Sequence, residues 1–285
     1  MKYRIDSQNL AFSGEGVVAY FQLLNTVARR LNTDFLVVGA FARDLLLTHV
    51  LGACPGLQTE DVDIGIQLVD WASYRGVVKS LLEQGYQRGQ SAHVYFGPVG
   101  LRTDLLPFGP LEKSRSISFS DSDHIAMNMT GFMEAFPQRI EFELEDGTTF
   151  CTPSPAGMVL LKLSAWNELY PWKKATKHVR DIGLLMEAFF DGTIDQIETT
   201  PVFSDVFDTL SDPLPIYHTA VVLGRQVKDL CHDYPETLTT LQSIYDKIQT
   251  DERELFLTPF ATALMTNKST ARQTMRYFFE TILNR

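Results

Sequence analysis

The sequence predicts an α+β protein in two parts: a mixed α/β head and an all-helical tail. Three observations lead there. Up to residue 152, short runs of β-branched and aromatic residues alternate with helical patterns. After Pro153-Ser154-Pro155 the apolar spacing becomes helical and stays so. At 285 residues, the chain is long enough for two ordinary cores. The expected domains are therefore residues 1–152 and 153–285.

In the head, Phe35 to Val38 reads as a buried strand ending at Gly39, where a helix opens. Val62, Ile64, Ile66 and Leu68 alternate with Asp61, Asp63, Gly65 and Gln67, the pattern of a half-buried strand. Trp71 to Gln84 reads as an amphipathic helix closed by Gly85. His93–Phe96 and Leu101–Leu106 read as strands around the turn Gly97-Pro98-Val99-Gly100. Arg139–Leu144 and Thr148–Cys151 form an expected hairpin across Glu145-Asp146-Gly147. In the tail, helices are expected over Ala156–Leu169, Lys173–Phe190 (closed by Asp191-Gly192), Ile216–Asp233, Glu236–Thr250, Asp251–Met265 and Ser269–Leu283. Ser211 to Pro215 reads as a linker.

Composition narrows the function classes. The apolar fraction of 45% and charged fraction of 21% are those of a soluble globular protein. No stretch approaches the roughly 18 apolar residues of a membrane helix, and Met1 to Asp6 lacks the apolar core of a signal peptide, so a cytoplasmic protein is expected. Cys54, Cys151 and Cys231 are scattered, which argues for a reducing compartment and against structural zinc. A net charge of −10 argues against general electrostatic grip on nucleic acid, so any such partner needs a local basic patch.

The chemistry concentrates in the head. Asp61 and Asp63 lie two apart on a strand and project from one face. Adjacent carboxylates repel unless a cation lies between them, and Mg²⁺ is commonly held by a few carboxylates plus substrate phosphates. Asp104, on a later strand, completes a candidate two-metal set and is the first candidate for a general base. Gly39 and Ala40 stand at a strand-to-helix turn where backbone can approach a phosphate. One turn on, Arg43 is placed to reach a phosphate or a strand-end carboxylate, and Asp44 to favour the helix N-terminus. In the tail, Lys162 interrupts the apolar run Met158 to Leu163, either snorkelling to the surface or, the favoured reading, aiming a cation at a triphosphate. Lys173, Lys177, Arg180 and Asp181 fall near one helical stripe, with Lys177 and Asp181 spaced to pair and Asp181 a second base candidate. These residues predict a cleft with one wall from each domain.

These motifs resemble the DNA-polymerase-β-like nucleotidyltransferases, specifically the AbiEii/AbiGii toxin group of type IV toxin–antitoxin systems. Val38 to Leu46 is similar to the glycine motif, Thr59 to Ile64 to the metal motif, and Asp104 to Gly109 to the third-carboxylate segment. Met127 to Ala135 also resembles a stretch of these proteins, and Leu161 to Trp166 and Lys177 to Ile182 resemble the helical Lys and Lys-x-x-x-Asp motifs. The resemblance implies a polymerase-β-like head, an NTP co-substrate with Mg²⁺ (or Mn²⁺), transfer of a nucleoside monophosphate to tRNA or protein, and a cognate antitoxin. It implies catalytic roles for Asp61, Asp63, Asp104, Lys162 and Asp181, and nucleotide contacts for Gly39, Ala40, Arg43, Lys162 and Lys177. The chain departs from the pattern at Ala40, where many members have Ser or Gly, and at His178, where related toxins often carry an acid. A CCA-adding enzyme, an aminoglycoside-modifying enzyme and a non-catalytic nucleotide-binding protein are the alternatives. The base-reading motifs of the first are not recognisable here.

Overall fold

The computed structural model describes residues 2–10, 15–54, 59, 61–97, 100–119, 125–199, 206 and 214–284. It is a mixed α+β structure with sheets flanked by helices and a helical C-terminal region. The chain divides into two compact units, Met1–His49 with Pro55–Ser154, and Val50–Cys54 with Pro155–Arg285.

The first unit opens with β1 (Lys2–Arg4), α1 (Glu15–Leu31), β2 (Phe35–Val38) and α2 (Gly39–Leu45). Then come β3 (Asp61–Gln67), α3 (Trp71–Glu83), β4 (Gln87–Arg88), β5 (Val94–Phe96) and β6 (Arg102–Phe108). β7 (Ser116–Phe119), β8 (Ile125–Asn128), α4 (Phe132–Ala135), β9 (Ile140–Glu143) and β10 (Thr149–Thr152) complete it. The central sheet has the order β2-β3-β6-β5-β4. β3 and β6 run parallel at its centre and the other pairs are antiparallel. β9 pairs with β1 and β10 in a second sheet, and β7 pairs with β8.

Side-chain alternation explains how the central strands serve both a core and a charged face. Val62, Ile64 and Ile66 of β3 are buried, while Asp61, Asp63 and Gly65 share the other face. Further along that face, Phe132 covers Gly65 so closely that a Cβ on Gly65 would lie 2.9 Å from its ring. Aromatic stacking joins α1 to the three-stranded sheet. Phe21 of α1 stacks on Phe150 of β10 with centroids 4.0 Å apart, and Phe150 stacks on Phe142 of β9 at 5.6 Å. Tyr20 of α1 meets Thr103 of β6 through a hydroxyl pair at 3.1 Å.

The second unit contains α5 (Pro155–Leu169), α6 (Thr176–Thr199), α7 (Pro215–Leu230), α8 (Pro235–Gln249), α9 (Leu257–Ala263) and α10 (Lys268–Leu283). α5 is buried continuously from Pro155 to Ser164 and again at Trp166. A helix apolar on all sides belongs inside a bundle, and α6 and α7 pack against it. Residues 211–213 of the expected linker lie outside the described residues.

Several boundaries differ from expectation for identifiable reasons. Lys173–Ala175 form a 3₁₀ turn, and α6 starts only at Thr176. Asp191-Gly192 does not end α6, which continues to Thr199. Gly192 serves packing instead, because a Cβ there would come within 2.6 Å of the Leu51 carbonyl oxygen. The helix expected from Asp251 begins at Leu257. Asp251 instead holds the preceding loop, accepting from the Phe256 N–H at 3.1 Å and from the Tyr170 hydroxyl at 3.3 Å.

Candidate functional site

The parallel register of β3 and β6 sets the geometry of the carboxylates. Asp61 lies beside Arg102 and Asp63 beside Asp104. In-register side chains on neighbouring strands point to the same face, so three acids and one arginine share a patch two residues wide and two strands across. Like charges directly opposite destabilise a sheet. Arg102 answers this with a bidentate fork, its Nε donating to Asp104 Oδ1 and its Nη2 to Asp104 Oδ2, both at 2.9 Å. The hydrogen bonds to Asp104 push the Arg102 pKa up, and the fields of Asp104, Asp61 and Asp63 add to the shift. Arg102 therefore stands as the cation of this face. Its side chain is 45% exposed, against 12% for Asp104.

Other side chains fix the edges of the patch. The Thr59 hydroxyl donates to Asp61 Oδ1 at 2.6 Å. His93 Nε2 lies 3.9 Å from Asp104 Oδ2. Burial drives the Tyr20 phenol pKa far up, and the charges of Asp63 and Asp104 add to this.

Gly39 closes the patch from the β2 side. Val38 pairs with Asp63, and Gly39 turns the chain into α2 at φ +73°. A Cβ at this position would sit 1.8 Å from Asp63 Oδ2. Both the dihedral and the contact require glycine. Ala40 follows in α2, half-buried. Arg43 is buried and turned onto its neighbour, its Nε 2.8 Å and Nη2 2.6 Å from Asp44 Oδ1. The structure thus joins Arg43 to Asp44.

Hard carboxylate oxygens on one face suit a divalent cation in kind, and the guanidinium that neutralises them is a stand-in for one. Among the described residues, however, no group of three or more His, Cys, Asp or Glu side chains is gathered as metal ligands. Arg102 donates to both Asp104 oxygens, so a cation drawing on those oxygens competes with that arginine. The sequence reading missed Arg102. Its signal was the Arg-x-Asp spacing, which puts both side chains on one face of a strand.

In the second unit, Lys162 and Asp181 form a buried ion pair with each other, at 8% and 9% side-chain exposure. The expected Lys177–Asp181 pair does not form on the surface. Lys177 is exposed, whereas Asp181 turns inward to Lys162. His178, one residue along α6, is held neutral. Its pKa falls to about 3, first through burial and then through the charges of Lys162 and Lys177.

A cavity of about 980 Å³ in the first unit lies between α3 and the β4–β5 hairpin. Trp71, Arg75, Arg88 and Val94 are among its walls, and Val94 is the register partner of Asp104.

No protein-family model matches the chain, nor does any curated protein. Three solved structures are similar in part. An antigenic nucleotidyltransferase-like protein from Paracoccidioides brasiliensis is 17% identical, with 66% of this chain and 89% of that one covered at a TM-score of 0.37. ANT(2")-Ia in complex with adenylyl-2"-tobramycin is 12% identical, with 68% and 98% covered at 0.35. The solution structure of the antibiotic-resistance factor ANT(2'')-Ia is 11% identical, with 67% and 92% covered at 0.32. Likeness of this extent assigns neither activity nor substrate to the chain.

Three outcomes follow from the geometry. Arg102→Met frees Asp104 and is expected to raise Mn²⁺ affinity about tenfold or more, read by electron paramagnetic resonance of free Mn²⁺; unchanged or weaker binding refutes the stand-in role. Lys162→Met leaves Asp181 buried without its partner and is expected to cost about 3–5 kcal/mol in denaturant unfolding, most of it recovered by Lys162→Met with Asp181→Leu. His178 binds a proton in the unfolded chain below about pH 6.5 but in the folded chain only near pH 3. Its contribution to stability is therefore lost as pH falls through that window, by up to about 1.4 kcal/mol per pH unit. His178→Gln is expected to flatten the acid limb of the stability–pH curve, measured by melts from pH 7 to pH 4.

Proposed function

We propose that the chain transfers a nucleoside monophosphate from an NTP to an acceptor hydroxyl, with the carboxylate face of β3 and β6 as its reaction centre. The observation that carries this reading is the register of Asp61, Asp63 and Asp104 on one face, closed at one edge by a glycine that only an unsubstituted Cα can occupy.

In this reading Asp61, Asp63 and Asp104 hold Mg²⁺ (or Mn²⁺), and Thr59 orients Asp61 through its hydroxyl. The cation, when bound, screens the triphosphate and favours departure of pyrophosphate. Gly39 and Ala40 offer backbone to the triphosphate. Arg43 and Asp44, one turn further along α2, are joined to each other. Arg102 balances the charge of this face through Asp104 and would share that role with a bound cation. Asp104 then takes the proton of the attacking hydroxyl, which closes on the α-phosphorus as the bond to pyrophosphate breaks. Lys162 and Asp181 act together, with the buried pair fixing α5 against α6.

The toxin reading belongs here too. Its acceptor would be tRNA or a cellular protein, and its partner an antitoxin. It rests on the motif resemblance, since no residue described above selects among acceptors.

The deciding experiment supplies each labelled NTP with Mg²⁺ to total cellular RNA and then to cellular protein. Label is expected on one of the two acceptors, and Asp61→Ala with Asp63→Ala is expected to abolish it with the melting temperature unchanged or raised, because the double variant removes two like charges. Transfer that persists in the double variant sinks the carboxylate assignment.

A further inference from the structure

The second unit carries an aromatic and cationic cavity that the transfer reaction leaves unexplained. It encloses about 550 Å³, and its walls include Pro171, Trp172, Lys173, Arg180, Arg253 and Pro259. Trp172 is 67% exposed. A side chain that size is normally buried for its apolar area. Around it stand three exposed cations in a chain whose net charge is −10. The acid on the wall, Glu254, is engaged by Lys268 and by the Thr258 hydroxyl. The cavity is thus positive where the protein as a whole is negative.

The walls are also held in place. Asp251 is 7% exposed and accepts from the Tyr170 hydroxyl and from the Phe256 N–H. This ties the segment that presents Trp172 to the loop that presents Arg253. The Trp172 backbone is fixed on both sides, its N–H donating to the Leu169 carbonyl at 2.8 Å and its carbonyl accepting from Ala175 at 2.9 Å. A preorganised wall does not have to be ordered by its ligand, so less binding energy is spent.

We propose that this cavity binds a nucleoside phosphate, its base stacked on Trp172 and its phosphate held by Arg180, Arg253 and Lys173. The flat indole calls for a flat partner, and stacking of a base on an aromatic side chain is indifferent to base identity. The guanidinium groups call for phosphate oxygens, which they meet with planar, forked donors. A volume of about 550 Å³ lies in the range of small-molecule sites. The hydroxyls of Thr176, Thr258 and Thr262, also on the walls, donate to the Lys173 carbonyl, Glu254 and the Thr258 carbonyl and keep acceptor lone pairs for the hydroxyls of a sugar. The site is metal-independent and does not require the transfer reaction to be correct.

Equilibrium dialysis of the full chain against radiolabelled 5′-AMP in excess EDTA tests this. Saturable binding is expected, and it is expected to persist in Asp61→Ala with Asp63→Ala. Trp172→Ala, and separately Arg180→Ala with Arg253→Ala, should each weaken it at least about fivefold. Trp172, Arg180 and Arg253 are all exposed at the cavity wall, and circular dichroism melts confirm that each variant is folded. Unlabelled adenosine and inorganic phosphate should each compete more weakly than 5′-AMP. A 5′-phosphorylated trinucleotide that competes better than 5′-AMP assigns the ligand to the end of a strand, and equal or weaker competition assigns it to a free mononucleotide. No saturable binding, competition by phosphate alone equal to that by 5′-AMP, or binding lost in the Asp61/Asp63 variant overturns the proposal.

Discussion

The first unit is organised around an electrostatic conflict. Parallel pairing of β3 and β6 sets Asp63 directly beside Asp104, with Asp61 one step along the same face. Such an arrangement is costly without a positive charge among the acids. Arg102 supplies it from within β6, two residues before Asp104, so one strand contributes both an acid and its counterion. The rest of the patch accommodates this bargain. Thr59 fixes Asp61, and Gly39 brings backbone against Asp63. A charged face can persist there because the opposite face of the same strands is a dry core of Val62, Ile64 and Ile66.

The second unit solves a related problem differently. Its central helix, α5, is apolar enough to be surrounded, and Lys162 lies within that run. A lone buried ammonium is expensive. Asp181 of α6 answers it with an ion pair, and burial with the charges of Lys162 and Lys177 keeps His178 neutral. Pairing of this kind adds little net stability over an apolar alternative, but its disruption is costly. It fixes how α5 and α6 register against each other.

Much of this was legible in the sequence, and the losses have physical causes. Alternation along Asp61 to Gln67 revealed β3 and the shared face of its acids, since a period of two needs no tertiary information. The change to helical spacing after Pro153 revealed the tail. The Lys162–Asp181 pair was not legible, because a lysine in an apolar helix reads as a probe for a ligand until its partner on another helix is known. The Lys177–Asp181 spacing was misleading for the same reason: two residues four apart on α6 pair only if both face solvent, and burial turned Asp181 away. Gly192 looked like a helix stop, yet the close approach of Leu51 explains it better than termination does. The Trp172 cavity draws its walls from segments some eighty residues apart in sequence, between Lys173 and Arg253, and no local pattern joins them.

Gly39 carries a consequence for how chains of this kind are compared. Because the Asp63 carboxylate fills the space a Cβ would need, the smallest possible change at position 39 dislodges an acid on another strand. A chain with every aspartate in place would still lose the geometry of this face through one methyl group at position 39.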